Sequence, residues 1–229
     1  MRKRSKRYGA DAEKASVEVL SLADAIKKVK TFGSTKFDQT VECVMHLGVD
    51  PKQADQMIRG AISLPNGIGK ARKVIAFCED SDAEAAKAAG AIEAGCDDLI
   101  KKVADGWMDF DVAIAAPKVM GKAGKLGRVL GPQGKMPSPK NGTVTPNVAE
   151  AVKEFAAGKV EFRNDSGGNI HAVVGKISFE ADKLEGNAKA FIGHIAKMRP
   201  QALKGIYVKK ICLTATMSPS VLVDVSVAS

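Results

Sequence analysis

The chain has 229 residues, of which 45% are hydrophobic and 27% charged, with 35 Lys and Arg against 26 Asp and Glu for a net charge of +9. That length allows one large domain or two small ones. The apolar share excludes wholesale disorder, and no run approaches the ~18 apolar residues of a membrane-spanning helix. A basic balance of this size favours an anionic partner, either nucleic acid or an anionic membrane surface.

Residues 1–15 are polar and basic and read as a flexible arm, with no apolar stretch behind them of the kind a secretory signal needs. Ser21 is placed to cap a helix reaching Thr31, with Asp24 at its third position and Gly33 beyond its end. Lys36 to Met45 alternates weakly and predicts a strand. Asp50-Pro51-Lys52-Gln53 combines a cap, a proline and a glutamine at helix-start spacing, and predicts a helix ending at Gly60. Asn66-Gly67-Ile68-Gly69 is a breaker cluster.

The character then changes. Lys73 to Cys78 is an apolar strand, and Ser81-Asp82-Ala83-Glu84 is a capping box before an Ala-rich helix that stops at Gly90. A short strand and turn over Ala91–Gly95, a helix over Asp97–Ala104 and a second buried-type strand over Phe110–Ala116 follow. Pro117 to Gly142 reads as a basic loop, and Pro146 opens a helix that ends at Gly158. After that, strands return at Val160–Arg163 and His171–Phe179. Ala181 to Met198 is a long amphipathic helix with Leu184, Ala188, Phe191, Ile192 and Ile195 on one face, and Gly205 to Met217 is a final strand.

Both ends read as α+β, and the middle as α/β with a parallel sheet. The economical architecture is therefore an insertion: residues 1–66 and 159–229 form one split domain, and 67–158 form a second. Gly67, Gly69 and Gly158 lie at the two crossings and are candidate hinge residues.

The charge is unevenly spread. Residues 67–158 carry 13 basic and 12 acidic groups, so the excess belongs to the two ends. Within the middle, 117–140 carries Lys118, Lys122, Lys125, Arg128, Lys135 and Lys140 and no acid, a candidate anion-binding surface. Cys43, Cys78, Cys96 and Cys212 lack metal-ligand spacing, and His46, His171 and His194 are scattered, so no metal is expected and the cysteines read as reduced thiols of a cytosolic protein. Gly121, Gly124 and Gly127 miss the G-x-G-x-x-G order, and Gly69-Lys70 and Gly134-Lys135 fail the phosphate-loop pattern. Carboxylate pairs such as Asp97-Asp98 have no nucleophilic partner nearby. The reading is no enzyme and no cofactor.

The terminal regions carry a different constellation. Lys36, Phe37 and Thr40 combine a cation, an aromatic face and a hydroxyl. Arg163, Lys176 and Ser178 add cations and a hydroxyl, and Thr214, Thr216, Met217 and Ser218 close the last strand. RNA recognition uses cations for phosphate, flat or apolar groups for stacking, and hydroxyls for the 2′-OH.

The segment LGRVLGPQGKMPSPKNG at 126–142 resembles the signature of the large-subunit ribosomal protein L-one family, bacterial type. KFDQTVE at 36–42, LGVDPKQADQMIRGAISLPNGIGK at 47–70, FDVAIAAP at 110–117, EFRND at 161–165, HAVVGKISF at 171–179 and KGIYVKKICLTATM at 204–217 extend the resemblance over about residues 20–218. It implies a split α+β domain with an inserted Rossmann-like α/β domain, and large-subunit rRNA at the mobile stalk held by Lys36, Phe37, Thr40, Ser178, Thr216 and Met217. Arg163 and Lys176 are phosphate candidates.

The resemblance further implies a cytoplasmic, ribosome-bound protein without a membrane, monomeric outside the ribosome. It would contact exit-site tRNA as the deacylated tRNA leaves, and would repress translation of its own operon mRNA. Lys122, Lys125, Arg128, Lys135 and Lys140 are candidates for the tRNA-facing surface. Two positions depart from the family pattern: Ser218 stands where glycine is usual, and Ser166 where lysine is common.

Overall fold

The computed structural model describes residues 5–15, 18–33 and 35–228. The chain splits into two compact units, Met1–Gly69 with Val160–Ser229, and Lys70–Lys159.

The first unit opens with helix α1 (Lys6–Lys14) where composition suggests a flexible arm. Polar contacts hold this helix, which is why no apolar pattern announces it. Asp11 is 2% exposed. Its Oδ1 accepts from the Gly33 N–H at 2.9 Å, and its Oδ2 faces Arg7 Nη1 at 3.3 Å. Helix α2 (Leu22–Lys30) runs as expected, with the Ser21 hydroxyl accepting from the Asp24 N–H and Leu22, Ala25, Ile26 and Val29 buried. Strand β1 (Thr40–Leu47) starts four residues later than Lys36 and alternates strictly between half-buried and buried positions.

The helix expected after Asp50 is absent. Asp50 instead closes a turn, with Oδ1 accepting from the Lys52 N–H at 3.0 Å and its carbonyl from the Gln53 N–H at 3.1 Å. A start signal alone does not propagate, because helix nucleation is unfavourable without an apolar face to bury, and residues 52–55 are all exposed. The chain goes on to strand β2 (Arg59–Ile62).

The second unit contains β3 (Val74–Phe77), α3 (Asp80–Ala88), β4 (Glu93–Gly95), α4 (Asp97–Ala104) and β5 (Val112–Ala115). The order β4-β3-β5 is parallel throughout, and β3 and β5 are buried at every residue. Helix α3 has Glu79 as its N-cap, two residues before the Ser81 expected from the capping box.

The segment 117–142 is not a plain loop but a chain of helical turns, including α5 (Met120–Ala123) and α6 (Gly127–Leu130). Val119, Ala123, Leu126 and Leu130 are buried at helical spacing. That period outweighs the glycine content, since Gly124 and Gly127 adopt right-handed helical angles. Helix α7 (Val148–Ala156) ends the unit.

The chain then re-enters the first unit with β6 (Val160–Arg163), β7 (Asn169–Lys176), α8 (Ala181–Lys197), β8 (Val208–Ala215) and the short β9 (Val221–Val223), which the sequence reading lacked. A four-stranded sheet in the order β7-β1-β8-β9 is antiparallel, and β2 pairs with β6 in a separate ribbon. Helix α8 buries Leu184, Ala188, Phe191, Ile192 and Ile195 in the core that this sheet and α2 share.

Between β6 and β7, Asp165 ties a tight turn. Its Oδ1 accepts from the Gly167 N–H at 2.8 Å and the Asn169 N–H at 2.7 Å, and its Oδ2 from Asn169 Nδ2 at 3.0 Å. The Asn169 side chain foremost, then these backbone donors, hold its pKa down to about 2. A depressed carboxylate pKa stabilises the fold above the unfolded value, and that contribution disappears as pH falls through the folded value. Protection of the Gly167 and Asn169 amides against exchange, taken relative to the intrinsic rate at each pH, should therefore fall between about pH 4 and pH 2. Asp165→Asn should abolish that pH dependence.

Candidate nucleic-acid interface

The antiparallel registers bring one end of β1 beside the far ends of β7 and β8: Thr40 lies opposite Lys176, and Val41 opposite Ala215. Three segments distant in sequence thus converge at residues 36–40, 176–178 and 214–218.

Hydrogen bonds fix them to one another. The Thr40 N–H donates to Thr216 Oγ1, and the Thr216 N–H donates to the Thr40 carbonyl, both at 3.0 Å. Lys176 Nζ donates to Thr40 Oγ1 at 2.8 Å, and Ser178 Oγ to Asp38 Oδ2 at 2.7 Å. Thr214 is half-buried, its hydroxyl donating to the Ser218 carbonyl at 3.3 Å.

Two apolar side chains stand out from this polar frame, with Phe37 51% exposed and Met217 48% exposed. Lys36 and Thr216 are exposed beside them in the chain. Arg163 is not part of the cluster. It lies on β6 in the separate ribbon, opposite Arg59, with Nη2 against Met57 Sδ at 4.0 Å.

Three residues outside the predicted site hold the cluster in place. Gln39 is 2% exposed. Its Oε1 accepts from the Met217 N–H at 3.0 Å, while its carbonyl accepts from the Ile177 N–H at 2.9 Å. Asp38 positions Ser178, and Arg7 Nη2 donates to the Met217 carbonyl at 2.8 Å. A buried glutamine next to a strand start has no periodic signature, so nothing in the sequence singles it out.

Ser218, where glycine is usual in the resembled family, fits without strain. No described residue other than glycine has a positive φ. The Ser218 hydroxyl accepts from the Ala215 N–H at 2.9 Å and so closes the end of β8. Ser166 is exposed in the turn after Asn164 and Asp165.

In the second unit the cations of the 117–140 segment divide into three sets. Lys118 pairs with Glu79 at 3.4 Å and Lys122 with Asp97 at 2.9 Å, a contact that lowers the Asp97 pKa and raises that of Lys122. Lys135 is half-buried and structural: Nζ donates to the Phe110 carbonyl at 2.6 Å and lies 4.9 Å from the Phe110 ring centroid. Lys125, Arg128 and Lys140 are exposed, with no ion pair among the described residues.

The four cysteines are free thiols, and burial pushes Cys43 up to about 12, which suits a core residue rather than a nucleophile. No described helix is long and apolar enough to cross a membrane.

A sheet end of fixed hydroxyls and cations with exposed aromatic and thioether groups has the chemistry of a polyanion-contacting module rather than of an enzyme. The model of the ribosomal protein L1p/L10e family matches residues 9–219, and the chain belongs to that family. It is 59% identical to the large ribosomal subunit protein uL1 of Rhodopirellula baltica, over 97% of this chain and 99% of that one. It is 50% identical to the protein of the same name from Cutibacterium acnes, over 97% and 96% of the two chains. The corresponding protein of Chlorobaculum tepidum is also 50% identical, over 93% of each chain.

Proposed function

We propose that this protein is a structural, non-enzymatic constituent of the large ribosomal subunit in the cytoplasm and that it grips rRNA by the sheet end of its first unit. The observation that carries this reading is the pair Phe37 and Met217, half exposed beside a row of hydroxyls locked by hydrogen bonds. A phenyl ring left in water beside donors in fixed geometry suits stacking on an unpaired base, with Thr216 and Ser178 near the 2′-OH groups and Lys36 and Lys176 near phosphates. Family membership and the names of the relatives support the same reading.

The test is a salt-titrated binding assay comparing a large-subunit rRNA stalk fragment with a scrambled RNA and a DNA of equal length. Wild-type protein should prefer the rRNA fragment at physiological salt. Phe37→Ala should weaken that binding about tenfold or more, since a stacked base contributes about 1–3 kcal/mol. Its thermal stability should stay close to wild type, because exposed positions contribute little. Equal, steeply salt-dependent binding to all three nucleic acids would mean that the net charge acts alone.

Two finer roles follow from the resemblance. In the first, the exposed Lys125, Arg128 and Lys140 face exit-site tRNA, and the crossings near Gly69 (φ +74°) and Gly158 (φ +105°) act as a hinge while deacylated tRNA leaves. In the second, the sheet end binds the protein's own mRNA and represses its translation. Competition between the rRNA fragment and the operon leader for one site tests the second role.

A further inference from the structure

We infer that helix α1 completes the RNA grip: an open pocket lined by Ser5, Arg7, Tyr8, Thr216, Met217 and Ser218 takes an unstacked nucleotide of the bound RNA. This rests on the sheet end being the rRNA surface. The pocket measures about 370 Å³. It brings together a phenol ring, a thioether, a guanidinium and three aliphatic hydroxyls, the groups that stack a base and hydrogen-bond a ribose. Half of its lining comes from α1 and its cap, and half from the loop after β8 that carries Met217.

The helix is tied to that loop by polar contacts. Arg7 reaches the Met217 carbonyl at 2.8 Å and faces Asp11 at 3.3 Å, and buried Asp11 accepts from the Gly33 N–H at 2.9 Å. Arg7 and Asp11 are therefore positioning residues, and Tyr8 is the group expected to touch RNA. Through this tie, docking of α1 and binding of RNA at Met217 reinforce each other.

The arrangement reverses an electrostatic expectation. Removing an acid from a protein that binds a polyanion ordinarily tightens binding. Asp11→Ala removes an acid but frees α1, so here it should weaken binding.

The experiment measures affinity for the rRNA stalk fragment with full-length wild type, Tyr8→Ala, Asp11→Ala and Phe37→Ala, each checked for an intact core by its thermal transition. Tyr8→Ala should lose about tenfold, and Asp11→Ala should lose at least severalfold. Hydrogen exchange should show α1 amides protected by RNA in wild type and not in Asp11→Ala. If Phe37→Ala is weakened while Tyr8→Ala binds like wild type or Asp11→Ala binds as well or better, α1 lies outside the grip and the inference is wrong, though the sheet-end reading stands. If Phe37→Ala also binds like wild type, the sheet-end reading falls and this inference with it.

Discussion

Asn187→Ala is expected to destabilise the first unit by about 3–5 kcal/mol, from three hydrogen bonds left unmade in a buried site. Asn187 lies on α8 and is fully buried. Its Nδ2 donates to the Val174 carbonyl at 2.8 Å and to the Gly67 carbonyl at 2.9 Å, and its Oδ1 accepts from the Asn66 N–H at 3.0 Å. Val174 is the residue skipped in the β1–β7 register, which passes from Gly175 opposite Val41 to Val173 opposite Glu42. At such a bulge the extra residue is left out of the ladder, and here the amide of Asn187 satisfies its carbonyl.

The same side chain pins the breaker at residues 66–67 to the helix. Alanine replaces none of these bonds, and leucine would bury an apolar group against three polar ones. Urea denaturation should show the midpoint falling with an unchanged slope. A loss below about 1 kcal/mol would mean that water takes over the three bonds and that Asn187 is not a clamp.

That residue also marks how far the sequence could be read. The apolar stripe of α8 at Leu184, Ala188, Phe191, Ile192 and Ile195 is plain from spacing alone, and all five are buried. Asn187 sits among them as a polar residue at i+3 from Leu184, and that was the available signal of a buried hydrogen-bonding role. The parallel strands β3 and β5, apolar at every position, and helix α4 were legible for the same reason: local pattern and environment agree. Two errors were of the opposite kind. The Asp50 start signal lacked a face to bury, and the Gly-rich run at 121–134 hid a real face at Val119, Ala123, Leu126 and Leu130.

The candidate interface was legible in part. Phe37, Thr40, Lys176, Ser178, Thr216 and Met217 could be named from residue type, and the registers bring them together. Their supports could not. Gln39, Asp38 and Arg7 act through hydrogen bonds that reach across as many as 210 positions of chain, and such pairings carry no periodicity. Residue type also misjudged Lys135, whose charge looks available in sequence but whose ammonium is occupied by backbone carbonyls.

Gly48→Ala should remove about 3 kcal/mol of stability or more, at the end of the sheet opposite the candidate interface. A Cβ at this position would lie 2.2 Å from the Ile206 carbonyl oxygen, far inside contact distance. The neighbour cannot easily yield. The Gly48 N–H donates to the Tyr207 carbonyl at 2.7 Å, and buried Tyr207 is anchored in turn by its hydroxyl on the Ile195 carbonyl at 2.9 Å. Retreat of Ile206 therefore breaks the contact that joins the end of β1 to the start of β8. Both sit beside the irregularity at which the register passes from His46 opposite Lys210 to Leu47 opposite Val208.

Strand β1 spans eight residues, about 25 Å from this end to Thr40, so the damage is to stability and not to the groups of the candidate interface. Thermal unfolding of Gly48→Ala should drop by several degrees or more, while the protein that remains folded at low temperature binds the rRNA fragment with wild-type affinity. A variant as stable as wild type would mean that the 205–207 loop adapts without cost. A variant equally stable but weakened in RNA binding would place a functional contact at this end of the sheet.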